Sequence, residues 1–140
     1  MRTLWAIALV LVCGCGSRQE VSRVASPDGA FDAVLTEAGD DAVRKSYDVY
    51  VVRRGATLGR STALVSLTGP QRSPRAAGAT LRWLGPETLA VEYLSAKNVT
   101  VNASEVRLED RSVHILSRAG VPGPEAADPA DVRAAPAGKP

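Results

Sequence analysis

The sequence predicts an all-β protein: a small antiparallel sheet or meander of about six to eight strands, curled or sandwich-like. Three observations predict it. Apolar and polar residues alternate with period two over short segments such as Ala30-Phe31-Asp32-Ala33-Val34-Leu35-Thr36 and Thr88-Leu89-Ala90-Val91-Glu92-Tyr93. Turn-forming groups separate these segments: Ser26-Pro27-Asp28-Gly29, Arg53-Arg54-Gly55, Gly69-Pro70, Gly85-Pro86-Glu87 and Asp110-Arg111. Past the opening stretch of the chain, no segment of about 12 residues carries the 3.6-residue period of an amphipathic helix. Antiparallel pairing is expected throughout, because short turns cannot carry a parallel crossover.

Taken in order, Val21-Ser22-Arg23-Val24 is a short first strand. In the turn that follows, Pro27 presets φ, Asp28 can accept from its own turn, and Gly29 takes the left-handed position. The next strand places Phe31, Ala33 and Leu35 on one face. Glu37 to Ala42 is a polar loop. Lys45 to Val52 is the strongest strand, rich in β-branched and aromatic residues. Its two faces, Tyr47, Val49, Val51 and Asp48, Tyr50, Val52, both carry bulk, which predicts a central position. Ala63 to Thr68 is a further strand, and Gln71 to Gly78 an exposed loop. Thr80–Leu84 and Thr88–Tyr93 form a hairpin, Asn98–Val101 a short strand, and Glu105–Glu109 with Ser112–Leu116 a last hairpin.

Ser26-Pro27-Asp28-Gly29 before a strand resembles the SPDG turn of TolB-type and WD40-like propeller blades. Leu81-Arg82-Trp83-Leu84-Gly85-Pro86-Glu87-Thr88-Leu89-Ala90-Val91 is similar to the Trp, turn, Leu-x-Val hairpin of the same repeats. A propeller needs at least four blades of four strands, more than this chain can supply. The resemblance therefore implies a β-meander and carries over no functional residue.

The start of the chain has a different character. Met1-Arg2 is a positive head, Leu4 to Val12 an unbroken apolar run, and Gly14, Gly16 and Ser17 are small. That order is the order of a secretory signal, and the run is too short to span a bilayer, which takes about 20 apolar residues. Val12-Cys13-Gly14-Cys15 resembles the lipobox of bacterial lipoproteins, with Cys13 where Ala or Ser is commoner. The resemblance implies cleavage before Cys15, attachment of fatty acyl chains such as palmitate to Cys15, and an extracytoplasmic, membrane-anchored home in the cell envelope. A single chain holds marginally and two or more hold stably. The implied organisation is a signal over 1–14, a lipidated flexible tether over 15–20, a β domain over 21–118 and a disordered tail over 119–140. The tail expectation rests on composition: Val121 to Pro140 is rich in proline and alanine and poor in branched apolar residues, so it buries too little to offset its ordering entropy.

Composition narrows the function. The chain has 140 residues, 17 Lys and Arg against 15 Asp and Glu, and only 4% aromatics. A balance this close to neutral argues against nucleic acid as partner. With few aromatics the core must be built from Val, Leu and Ala, with Phe31, Tyr47, Tyr50, Trp83 and Tyr93 as its large pieces. His114 is the sole histidine, and cleavage before Cys15 would leave no thiol beyond the lipidated one. No zinc ligand set, cofactor motif, Gly-x-Ser-x-Gly elbow or phosphate-cradling loop is present. Asp40-Asp41 with Glu37 lacks the spacing of a calcium loop. The basic spots Arg44-Lys45, Arg53-Arg54 and Arg72/Arg75 read as solvated loop charges, or as contacts for anionic lipid head groups. The expectation is a non-enzymatic lipoprotein without cofactor or metal, in an interaction or structural role beside another envelope protein. The alternative is a small-molecule or glycan module with a cleft lined by Tyr50, Trp83 or Tyr93, and a hydrolase using His114 stands further off.

Overall fold

Period-two alternation makes each segment bury one face, and two such faces bury each other. The computed structural model describes residues 18–39, 45–71 and 78–121, which form nine strands and no helix. They are β1 (Gln19–Ala25), β2 (Phe31–Ala38), β3 (Ser46–Arg53), β4 (Val65–Thr68), β5 (Thr80–Gly85), β6 (Thr88–Tyr93), β7 (Asn98–Val101), β8 (Glu105–Leu108) and β9 (Arg111–Ala119). One sheet has the order β1-β2-β3-β4-β7 and the other β5-β6-β9-β8. The expected signal over 1–14, Cys15, Asp40-Asp41, Arg44, Arg72/Arg75 and the Pro/Ala-rich stretch after Val121 lie outside the described residues.

The core lies between the sheets. Phe31, Ala33, Leu35, Tyr47, Val49, Val51, Val65 and Leu67 of the first sheet meet Leu81, Leu89, Val91, Val113 and Ile115 of the second. The alternation in β2 and β3 thus faces inward as the sequence predicts, and β3 is the central strand of its sheet. Its opposite face is also buried. Val34, Tyr50 and Val52 are covered by Ala56, Leu58 and Ala63 of the β3–β4 connection, which folds over the outside of the sheet. Among the described residues the outer face of the second sheet has no such cover. It holds exposed Leu84 and Leu116 beside a charged row, Arg82–Glu92 at 2.6 Å and Arg118–Glu92 at 3.5 Å.

Two expectations change. Among the described residues all nine segments read as strands form strands, one more than the about six to eight given for the sheet. More instructive, β6 and β9 run parallel, Thr88↔His114 through Tyr93↔Ala119. After β6 the chain crosses to the first sheet and pairs with β4 as β7. At Asn102–Ser104 it bends back, continues as β8 on the second sheet, and turns into β9 beside β6. A parallel crossover needs a dozen or more residues but not a helix; here a strand that switches sheets supplies it and closes one side of the sandwich. On the other side the Trp83 indole N–H donates to the Val24 carbonyl at 2.9 Å, joining edge strands β5 and β1.

The domain also reaches further than residues 21–118. β1 begins at Gln19, inside the expected tether. β9 runs to Ala119, and the Gly120 and Val121 amides donate to the carbonyls of Leu94 and Tyr93.

Candidate functional site

Strand directions sort the loops into two ends. Gln19, Ala38, Ser46, Thr68 and Asn98 lie together at one end, since Gln19 pairs with Glu37, Ala38 with Ser46, Ser46 with Thr68 and Thr68 with Asn98. Val121 also leaves at that end, beside Tyr93. The opposite end, about 24 Å away along eight-residue β2, gathers the turn after β1, the end of β3, the β5–β6 turn and the β8–β9 turn. The candidate site is there.

Ser26-Pro27-Asp28-Gly29 builds its base. Ser26 is buried; its hydroxyl donates to Asp28 Oδ1 at 2.6 Å and accepts from the Phe31 amide at 3.0 Å. The Ala30 amide donates to Asp28 Oδ1 at 3.2 Å, and Gly29 sits at φ 72°, which a side chain would strain. The Ser26 hydroxyl first, then the Arg111 guanidinium and the Ala30 N–H, pull the Asp28 carboxyl down to about 2.

Arg111 spans the end. It donates from Nη1 to Asp28 Oδ2 at 2.7 Å and from Nε to Glu87 Oε1 at 3.1 Å, and its guanidinium lies 5.0 Å from the centroid of the Phe31 ring. These anions, Asp28 first, push its pKa further up. Asp32 is a second node. Its carboxylate is only 3% exposed, yet it accepts from the Gly55 amide at 2.9 Å and from Arg23 at 3.0 Å, with Arg54 Nε at 3.4 Å. Burial pushes the Asp32 carboxyl up, but the Gly55 N–H and the two guanidiniums more than reverse this and leave it below the ordinary carboxylate range.

Between these nodes opens a groove of about 350 Å³, lined by Ala30, Phe31, Arg53, Arg54, Glu109 and Arg111. Arg53 is ion-paired with Glu109 across it. Glu109 is the only non-glycine with positive φ among the described residues, at 61° in the two-residue β8–β9 turn. Left-handed backbone costs an ordinary side chain about 1 kcal/mol or more, so strain is held at the groove's rim.

Other sequence candidates do not converge on it. Tyr50 is buried on the outside of the first sheet, while Trp83 and Tyr93 pack half-buried against the core between the sheets. The three aromatics line no common cleft. His114 points outward from β9, its side chain 57% exposed, with Glu105 Oε2 at 3.9 Å. Glu37 is bound to Lys45 and Tyr47 at the far end, so it belongs to strand pairing as well as to the acidic loop. Lys45, just before β3, and Arg53, at its end, lie at opposite ends of the sandwich, so these two described basic spots do not share a surface. Among the described residues no three His, Cys, Asp or Glu side chains are grouped to hold a metal ion, and no helix is long and apolar enough to cross a membrane.

Sequence reasoning named Arg53-Arg54 and both turns but not their meeting. The Arg111–Asp28 pair joins residues 83 apart, and ion pairs across a sandwich follow no spacing rule. No protein-family model, curated protein or solved structure matches the chain.

Proposed function

We propose that this protein is a non-enzymatic lipoprotein of the cell envelope, anchored through acyl chains on Cys15, that presents the turn end of its sandwich to another envelope protein. One observation carries the reading. β1 begins at Gln19, only four residues after Cys15, and begins at the end opposite the groove. Four extended residues reach about 14 Å at most. A lipid on Cys15 would therefore hold the Gln19 end close to the bilayer and turn the groove outward. Val121, the last described residue, also lies at the Gln19 end. The composition of the site agrees: guanidiniums, carboxylates and a buried aromatic ring make a surface suited to polar recognition.

The test is metabolic labelling with a fatty acid. Wild-type protein should take up label and sediment with membranes, and Cys15→Ser should lose the label and move to the soluble extracytoplasmic fraction. Wild-type protein that stays on membranes without label would refute the lipid anchor.

A further inference from the structure

We propose that the groove between Arg53, Arg54, Arg111 and Glu109 is a carboxylate-binding site for an acidic peptide segment of a partner protein. Glu109 acts there as an internal carboxylate that the incoming one displaces. The inference deepens the reading above by naming the surface and the chemistry of its partner. It rests on that reading only for the outward orientation of the groove.

The first argument is preorganisation. A guanidinium presents five N–H donors in a planar fork that fits a carboxylate edge-on. Arg111 is fixed at three points: Asp28, Glu87 and the Phe31 ring. It uses Nη1 and Nε for these bonds, and its Nη2 makes none to a described residue. Arg54 is drawn to buried Asp32 through Nε, and its backbone amide is tied to the Ala30 carbonyl at 3.0 Å. The carboxylates behind Arg54 and Arg111 thus hold these two in place, so little of their side-chain freedom remains to be lost on binding.

The second argument is Glu109. Its side chain is 55% exposed, so its pairing with Arg53, itself 62% exposed, is reversible in solvent. Its backbone is held in the left-handed region. A strained residue beside a groove is a pointer to function. Here it places a carboxylate on Arg53 where a ligand carboxylate would sit.

The third argument selects the ligand. The lining and the groups that hold it carry four guanidiniums, Arg23, Arg53, Arg54 and Arg111, and five carboxylates, Glu20, Asp28, Asp32, Glu87 and Glu109. This set carries one net negative charge. It gives little long-range attraction to a phosphate or a polyanion, whose extra charge would face those carboxylates at close range. A single carboxylate exchanging with Glu109 leaves the local charge unchanged. The open groove, floored by Ala30 and Phe31, accepts one or two side chains of a peptide.

The experiment uses the full chain in detergent micelles and a dye-labelled, end-blocked peptide of alternating Glu and Ala, with a Gln/Ala peptide and inorganic phosphate as comparisons. Fluorescence anisotropy at low salt should show binding of the Glu peptide and none of the Gln peptide. Arg53→Gln with Arg54→Gln should weaken binding by about tenfold or more, and Glu109→Gln should tighten it several-fold. These side chains are more than half exposed, so melting curves should remain those of a folded domain, and the gain in Glu109→Gln cannot arise from unfolding. Equal affinity for both peptides, or weaker binding in Glu109→Gln, would overturn the proposal. Phosphate that displaces the peptide at concentrations where free acetate does not would overturn the peptide assignment. Cys15→Ser protein should bind with wild-type affinity, so a failed anchor and a failed site give different results.

Discussion

The two ends of the sandwich are built differently. At the turn end, the connections after β1, β5 and β8 are short and tied down by polar groups: Asp28 and Asp32 each hold backbone amides and arginines, and Arg111 bridges two turns. At the Gln19 end the connections after β2 and β4 are longer. The ties among the described residues there are mostly between main-chain groups, such as the Gly69 amide on the Lys45 carbonyl and the Lys97 amide on the Thr68 carbonyl, both at 3.0 Å, with Glu37 bound to Lys45 and Tyr47. The core between them is one continuous apolar cluster, so the contrast is one of surface chemistry. Rigid, charge-matched turns suit recognition of a partner. The other end, where β1 begins four residues after Cys15, suits attachment on the proposed reading.

The largest effect that would sharpen this contrast lies at Asp32. Replacing it by Ala removes an acceptor from the Gly55 amide, Arg23 and Arg54 together and leaves them facing a site that is almost closed to water. Chemical denaturation of Asp32→Ala should show a loss of about 3 kcal/mol. A change under about 0.5 kcal/mol, the range of an ordinary surface substitution, would mean that the turn end is not braced as described.

At the Gln19 end the expected weak point is steric. A Cβ on Gly78 would lie 2.3 Å from Pro70 Cγ and 3.3 Å from the Tyr47 ring. Gly78→Ala should cost about 1–3 kcal/mol by forcing Pro70 aside, with the groove's peptide affinity unchanged. A loss of peptide binding in that variant would break the separation of the ends.

The smallest effect concerns acid. Asp28 has its carboxyl lowered to about 2 from an ordinary 3.8, and Asp32 is also lowered. A depressed carboxyl contributes stability that is fully present above the ordinary value and is lost as pH falls through the folded-state value. Melting temperature should therefore fall between about pH 4 and pH 2. The fall should shrink in Asp28→Asn, which keeps the turn's shape but has no proton to gain. An identical acid profile in the variant would place the acid sensitivity elsewhere, for instance at Glu92, whose carboxyl Arg82 first and Arg118 also hold down against the opposing effect of burial.

The sequence was legible where physics is local. Tyr47, Val49 and Val51 alternate with Asp48, Tyr50 and Val52, and no other regular structure separates those two sets. Ser26-Pro27-Asp28-Gly29 could be read because proline and glycine fix backbone angles by themselves. The parallel β6–β9 pair could not, because strand direction there depends on which sheet β7 joins, a choice made by packing over long separations. The groove was illegible for the same reason. Arg53, Glu109 and Arg111 meet only after the sandwich closes, and nothing in their spacing distinguishes them from solvated loop charges. The left-handed backbone at Glu109 gave no glycine or asparagine signal either.

The central claim, that a lipid on Cys15 holds the Gln19 end at the membrane and the groove away from it, is tested most directly by quenching depth on vesicles. Lipidated protein has no other thiol once the signal is removed, so a fluorophore can be placed on Lys97→Cys at one end or Asp110→Cys at the other, both exposed positions. With spin-labelled lipid head groups in the bilayer, the account predicts strong quenching at position 97 and little at position 110. Equal quenching at the two positions, or stronger quenching at 110, would contradict it.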